Sequence, residues 1–390
     1  MHEQRKIVTE TPENSETPLE NVRSWVTPTR LFFVRNHSEP PEIDVENWRL
    51  SVEGLVDNAL SLSWDDLMEL PERTVFATVE CAGNGRSFLR PKAHGVQWGS
   101  GAVGHAEWTG VPLHLVLEKA GVKSGAVEVL FEGADLGQEA DQSEPMHFTR
   151  SLPMDKALSP DTLLVFRMNG ELLEPNHGYP LRLFVPGWYG VAAVKWLARI
   201  EVIDYQYRGY FQSKKYTIKR ETPEGQETVV VGPMQVKSEI LRPHTGDKLG
   251  IGMNRIFGVA WAGEEAISRV EISTDNGESW TEASLIGPQS PYSWSLFEYL
   301  WEVAESGDYT LLSRAVSESG RTQPMQHDPL CGGYHIHHVR PIEVMVEGEK
   351  RSDDQHADAS TLVYDMNAFA EENTRLPLDV EMSFEEGAGI

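Results

Sequence analysis

Apolar and polar positions alternate along Leu50-Ser51-Val52-Glu53-Gly54-Leu55, a period of two that predicts a strand. Ala126-Val127-Glu128-Val129-Leu130-Phe131 and Leu181-Arg182-Leu183-Phe184-Val185 predict two more. Ser63 ahead of Trp64-Asp65-Asp66-Leu67-Met68 predicts a capped helix start, and Val111 to Ala120 predicts a helix closed by Gly121. Short strands, modest helices and many turns between Trp48 and Val202 predict an α+β layout. The pattern then changes. Glu221-Thr222-Pro223-Glu224-Gly225-Gln226-Glu227 is polar and turn-rich and predicts a linker. Beyond it Phe257 to Trp261, Val270 to Ser273 and Trp294 to Phe297 alternate again, with Asp275-Asn276-Gly277 as a tight hairpin turn. No helical period interrupts them, so a β-sandwich is expected over about 235–345. The expected organisation is a polar arm at 1–25, a first domain at 26–230, a second at 231–348 and an acidic tail at 349–390.

Composition narrows the function classes. With 390 residues, 40% hydrophobic and 24% charged, the chain has the make-up of a folded protein with room for two domains. No apolar run is long enough to span a bilayer, and the first twenty residues lack an apolar export core, so a cytoplasmic protein is expected. The net charge is −26, of which residues 351–390 carry −8 as ten Asp/Glu against two Arg. A field of that sign argues against nucleic acid and anionic membranes as partners. Any anionic ligand needs a local basic pocket. The two cysteines, Cys81 and Cys331, exclude a disulfide framework and fit a reducing compartment.

The first candidate for chemistry is Val79-Glu80-Cys81-Ala82-Gly83-Asn84-Gly85-Arg86, where a strand delivers a thiol into a loop of small residues. A cysteine at a strand end is commonly a small buried hydrophobe. Here Gly83 and Gly85 would also let a ligand approach the backbone, and Arg86 would favour a thiolate able to act as nucleophile or soft metal ligand.

Cys81-Ala82-Gly83-Asn84-Gly85-Arg86 resembles the cysteine loop of the sulfite oxidase family of molybdenum enzymes. Phe33-Val34-Arg35-Asn36-His37, Gly95-Val96-Gln97-Trp98, Trp108 to Leu113, Met168-Asn169-Gly170, His177 to Arg182 and Val194-Lys195-Trp196-Leu197 resemble further family segments in order. Val270 to Ser273, Asp275-Asn276-Gly277, Trp280 and Phe297-Glu298 are similar to the family's dimerisation domain. The resemblance covers about residues 27–345. It implies a molybdopterin-binding α+β domain followed by an immunoglobulin-like β-sandwich that pairs subunits into a homodimer.

The resemblance also implies roles. Cys81 would be the protein thiolate on molybdenum. Phe33, Arg35, Asn36, His37, Asp135, His177, Arg182, Val194 and Lys195 would line the pterin and its phosphate, which a guanidinium fork and an ammonium suit. Arg35, Arg86, Trp98 and Tyr216 would surround a small oxoanion such as sulfite, with Tyr207 and Tyr210 as neighbouring rivals to the tyrosine. The implied reaction is two-electron oxygen-atom transfer, sulfite to sulfate. No cytochrome b5-like segment or haem-attachment motif is found, so no haem and an external electron acceptor are expected.

Two departures matter. Gly85 stands where many members carry arginine, and Leu330-Cys331-Gly332 falls on the Leu-Arg-Gly whose arginine completes the anion site of the animal enzymes. A related reductase of nitrate or an S- or N-oxide, or a non-catalytic cofactor-binding protein, therefore stays open. In Gly332-Gly333-Tyr334-His335-Ile336-His337-His338, a strand would put His335 and His337 on one face with Cys331. That pattern allows either a zinc or copper site or a polar interface strand.

Overall fold

The structure is a computed structural model and describes residues 4–22 and 24–348; the expected acidic tail lies outside the described residues. The first domain is built on two five-stranded sheets. In one, Arg73–Glu80 pairs with Val103–Pro112, which pairs with Leu163–Met168, and the short Glu171–Leu172 and Arg182–Phe184 complete it. In the other the order is Leu60–Leu62, Leu50–Gly54, Leu197–Ile203, Glu128–Gly137, Met146–Pro153. There Leu50–Gly54 and Leu197–Ile203 run parallel, the remaining pairs antiparallel.

The predicted strands are present. Between the sheets, Leu50, Val52, Val129, Phe131, Leu164, Phe166, Leu181 and Leu183 share one fully buried core. Ser63 and Asp66 form a reciprocal capping box at helix Trp64–Met68. Helix Leu113–Ala120 ends where Gly121 turns left-handed at φ 71°.

The N-terminal segment is not an arm. Lys6–Thr9 and Asn14–Glu16 join Val34–Arg35 in a three-stranded sheet, and Asn14, Ser15 and Glu16 are buried. Its polar residues read as solvent-facing, but their partners lie far along the chain. Asn14 Oδ1 accepts from Asn36 N at 3.1 Å, and Glu16 accepts from Gly99 N. Buried polar groups persist where they are hydrogen-bonded.

The predicted linker is an antiparallel hairpin, Thr217–Thr222 with Gly225–Val230. Its residues are mostly exposed, so no alternation marks it as strand.

The second domain is one curled eight-stranded sheet, as the predicted sandwich requires. Its order is Lys237–Arg242, Gly252–Trp261, Ser295–Val303, Thr281–Ile286, Ile267–Ser273, Gly307–Ser317, Ile342–Glu347, Lys248–Gly250. Ser238 Oγ lies 2.9 Å from Ser313 Oγ, and Gln323 Oε1 accepts from Ser238 and Ala315, which closes the curl. Asn276 and Gly277 turn the predicted hairpin at φ 60° and 92°.

The two domains share an apolar core containing Trp25, Phe76 and Tyr189 from the first and Val259, Trp261 and Trp294 from the second. The indoles of Trp25 and Trp294 each donate to the other's carbonyl, at 3.0 and 2.8 Å. Among the described residues no helix is long and apolar enough to cross a membrane.

Candidate active site

Strand Arg73–Glu80 ends at the mouth of a cleft of about 730 Å³, open solvent included, and Cys81 lines it. The loop that follows is held by its own backbone. Cys81 N donates to Ala102 O at 2.9 Å, Asn84 N to Cys81 O at 2.8 Å and Gly85 N to Gly99 O at 2.7 Å. Asn84 Oδ1 accepts from Ala102 N while its amide donates to Glu80 Oε1. Glu80 is clamped from the second domain. Lys237 Nζ lies 3.0 Å from Glu80 Oε1, both side chains 2% exposed, and Trp261 Nε1 donates to Oε2 at 2.9 Å. Burial pushes the Cys81 thiol up, and Arg35 and Arg86 oppose that shift.

Arg86 does not line the cleft. Its Nη1 donates to Val96 O at 2.8 Å, while Nε and Nη2 donate to Gly333 O at 3.1 and 3.0 Å. A Cβ on Gly83 would lie 2.1 Å from Arg86 Nη2, and one on Gly95 2.8 Å from Nη1. Gly83 thus makes room for this guanidinium rather than for a ligand. Gly85, at φ 94°, supplies the left-handed turn ahead of it. Trp98 is fully buried in the cluster that also holds Cys81 and is not part of the cleft wall.

Beside Cys81, the cleft wall carries Arg35, His37 and Tyr216. Tyr216 Oη lies 2.6 Å from His37 Nε2, and Arg35 Nη2 reaches Oη at 3.5 Å. Arg35 also donates from Nη1 to Asn14 Oδ1 at 3.2 Å and to Asn36 O. Desolvation, reinforced by Arg35, holds His37 down to about 3. Desolvation pushes Tyr216 up to about 12 against the pull of Arg35. At the working pH this wall is a neutral imidazole and a neutral phenol beside a permanent cation.

Beyond the wall the cleft turns cationic. Lys195 Nζ donates to Asn176 O at 2.9 Å and to Asn36 Oδ1, and Asn36 Nδ2 donates to Asn176 Oδ1 at 2.9 Å. Arg182 Nη1 donates to His177 O at 3.0 Å. Arg182 Nε, His177 Nε2 and Asp135 Oδ1 are buried with no hydrogen-bond partner. Desolvation depresses Arg182 to about 10 and holds Lys195 and His177 well below their ordinary values, each disfavoured further by Arg182. Crowded buried cations with spare donors are costly unless an anion joins them.

Of the sequence-predicted positions, Phe33, Arg35, His37, Cys81, Asp135, His177, Arg182, Lys195 and Tyr216 come together in the cleft. Asn36 sits buried behind it, bonded to Lys195; Val194 lies in the apolar core. Tyr210 donates instead to Asp141 and, like Tyr207, is not part of the cleft lining. Cys331 ends a short turn, Pro329–Cys331, and the segment after it is not a strand. His335 adopts φ 48° and stacks on Tyr189 at 5.4 Å, while His337 Nδ1 donates to Val236 O at 3.0 Å. The alternation therefore fails, and among the described residues no group of three His, Cys, Asp or Glu could hold a metal.

Sequence reasoning missed Phe32, Phe148 and Asn176 in the cleft and Glu139 behind His37. Asn176 adjoins the quoted His177 segment and was within reach. Glu139 carries no local signal.

The donor set suits a pterin carrying a phosphate and a thiophilic metal: one buried thiol, a spare guanidinium donor on Arg182 and the ammonium of Lys195 line the same cleft.

Comparisons agree with that fit. A profile described as "Oxidoreductase molybdopterin binding domain" matches residues 37–211, and "Mo-co oxidoreductase dimerisation domain" matches 228–331. Mitochondrial sulfite oxidase of Rattus norvegicus is 32% identical over 369 residues, 87% of this chain and 66% of that one. This chain thus spans about two thirds of the rat protein's length. Sulfite oxidase of Arabidopsis thaliana is 32% identical over 353 residues, covering 83% of this chain and 88% of that one. NADH nitrate reductase of Ulva prolifera is 31% identical over 80% of this chain and 40% of its own. Among solved structures, sulfane dehydrogenase SoxCD from Paracoccus pantotrophus superposes with TM-score 0.76 at 33% identity, covering 87% of each chain. Two domain matches in the right order, on a cleft lined by a thiol and by an arginine with a spare donor, make this chain a member of the sulfite oxidase family of molybdopterin-dependent oxidoreductases.

Proposed function

We propose that this protein oxidises a small sulfur oxoanion, sulfite to sulfate, by molybdenum-dependent oxygen-atom transfer and passes the electrons to an external acceptor. The observation that carries this is the cleft's lining: the buried Cys81 thiol and Arg35 share it with Lys195 and with Arg182, whose Nε has no partner. It works as a homodimer in the cytoplasm, without haem.

The cofactor, when bound, supplies two-electron oxygen-atom transfer at its metal. Cys81 holds the metal, while Arg182, Lys195 and His177 hold the phosphate, with Asn36 orienting Lys195. Arg35 keeps its charge at every working pH and anchors the substrate anion. Phe33 and Phe148 exclude water, which strengthens that attraction. Tyr216 and His37 supply the neutral polar part of the same wall, in contact with Arg35. Arg86 serves the site indirectly by binding the cysteine loop to Gly333 of the second domain.

A second reading, oxidation of a less charged sulfane sulfur as in the name of the Paracoccus relative, is favoured by one observation. Arg86 is taken up by carbonyls and Cys331 replaces an arginine, so the anion site near Cys81 is weakly cationic. Purified holoprotein with an artificial acceptor separates the readings. Sulfite-dependent dye reduction, lost in Arg35→Gln, supports the first. Reduction driven by an alkyl persulfide but not by sulfite supports the second, and oxidation of reduced dye by nitrate alone overturns both.

A further inference from the structure

Glu139 does not line the cleft, yet its Oε1 lies 3.1 Å from His37 Nδ1. It sits in the loop 138–145, with its side chain 21% exposed and Oε2 3.7 Å from Lys215 Nζ. The hydrogen bond to His37 holds the Glu139 carboxyl below its ordinary range, so it is an anion. An anionic carboxylate can only accept, which assigns the proton on His37 to Nδ1. Nε2 of that neutral ring is then an acceptor. The hydroxyl of Tyr216, 2.6 Å away, donates to it. Arg35 Nη2 lies nearer to the ring than to the hydroxyl, 3.0 Å from Nε2 and 3.1 Å from Nδ1 against 3.5 Å from Tyr216 Oη, so it shares the Nε2 lone pair with Tyr216. Carboxylate, imidazole and hydroxyl stand in the order in which hydrolases let an imidazole take up and return a hydroxyl proton.

We infer that Glu139 is the positioning residue of a Glu139–His37–Tyr216 proton store that takes up a proton as water replaces the transferred oxygen and returns it before the next substrate binds. The inference rests on the oxidase reading above. Oxidation of sulfite by water, SO3²⁻ + H2O → SO4²⁻ + 2 H⁺ + 2 e⁻, sends two electrons to the external acceptor and releases two protons beside buried cations. One of them bonds to Tyr216 Oη as the original Tyr216 proton passes to His37 Nε2. The imidazolium so formed is held by the Glu139 carboxylate. Before the next substrate binds, His37 returns its proton to Tyr216, and Tyr216 releases one to solvent water. Every bond made in uptake is broken in release, and the ring regains its starting tautomer.

The charged groups around His37 set the balance. Arg35 on its own segment and Lys195 from the adjacent loop disfavour imidazolium; Glu139 favours it; Phe148 and Phe211 add only apolar packing. Without Glu139, nothing in that set offsets two cations. Lys215 pairs with Glu139 and steadies the loop.

The test uses variants of the holoprotein at Glu139 and His37 and two readouts. Glu139→Gln keeps an acceptor for Nδ1–H but loses the charge; Glu139→Leu loses both. Nitrogen NMR of the His37 ring, identified by its loss in His37→Asn, is expected to report Nδ1–H in wild type and Glu139→Gln and a mixture in Glu139→Leu. Turnover is expected to fall about tenfold or more in Glu139→Gln and further in Glu139→Leu, with KM little changed, because general acid–base help of this kind is worth roughly 10²–10⁴ in rate. Glu139→Asp is expected to recover most of the rate, which a role in loop packing alone would not predict. An Nε2–H ring in wild type overturns the proposal whatever the substrate, as does Glu139→Leu within twofold of wild-type kcat. Wild type inert toward sulfite, with its Nδ1–H ring intact, instead overturns the oxidase reading and the proton store with it, and supports the tautomer assignment.

Discussion

Two buried arginines, one lining the cleft and one behind the cysteine loop, do opposite things. In the cleft Arg182 has one nitrogen, Nε, with no partner, beside an equally unpaired His177 Nε2. Behind the cysteine loop Arg86 gives Nε, Nη1 and Nη2 to two backbone carbonyls and joins loop to loop. Charge and burial are alike in the two cases; spare hydrogen-bonding capacity is what differs. A buried cation with donors to spare marks a place for an anion, and one with its donors satisfied marks a joint in the fold.

The largest expected effect breaks the joint. Lys237→Met leaves Glu80 as a buried charge beneath Cys81, and loss of one partner of such a pair costs about 3–5 kcal/mol. Denaturant unfolding of the apo-protein checks this, and the loss is expected to be partly recovered in Lys237→Met with Glu80→Gln.

A crossed pair of substitutions sharpens the contrast. Arg86→Met is expected to lower apo-protein stability by about 2 kcal/mol, since its charged donors leave two carbonyls unpaired. Arg182→Met is expected to leave apo stability level or improved while cofactor content falls, because it removes a poorly partnered buried cation. Thermal melts and molybdenum content, measured on both, give opposite rankings if the two arginines differ as described.

Smaller effects come from pH and anions. His177 is held well below its ordinary value by burial and by Arg182, so the unfolded chain binds a proton that the folded one does not. Stability is therefore intact above the ordinary histidine value and falls as pH drops below it, by about 1.4 kcal/mol per pH unit for each such ring. His177→Asn is expected to flatten the melt-versus-pH curve below pH ~6.5 by one ring's share. Inorganic phosphate at ten times its Kd is expected to add about 1.4 kcal/mol to wild type and to Arg86→Met, and almost nothing to Arg182→Met.

Local chemistry was legible in the sequence, and distant partnership was not. Ser63, Gly121 and Asn276-Gly277 act within a few residues, and their cap, helix end and turn are where the pattern put them. The family segments brought seven cleft residues together, Phe33, Arg35, His37, Cys81, His177, Arg182 and Lys195, because each motif carries its own backbone geometry. Arg86 was misjudged because its acceptor, Gly333 O, is 247 positions away. Asn14 and Glu16 looked like solvent-facing polar residues for the same reason, since Asn36 and Gly99 satisfy them only in the fold. Hairpin Thr217–Val230 escaped notice because a largely exposed hairpin shows no period. The histidine run failed for the reverse reason: it carries a strand-like period, and the backbone turns left-handed at His335.

The central claim is that this cleft holds molybdopterin with Cys81 on the metal. The most direct test is molybdenum and pterin content of protein purified from a molybdopterin-competent host, wild type beside Cys81→Ser. About one molybdenum per chain is expected in wild type, as one thiolate ligand per cleft requires, with loss of metal or of its thiolate absorption band in the variant. Wild type without molybdenum, from a host that loads other molybdenum enzymes, would contradict the account.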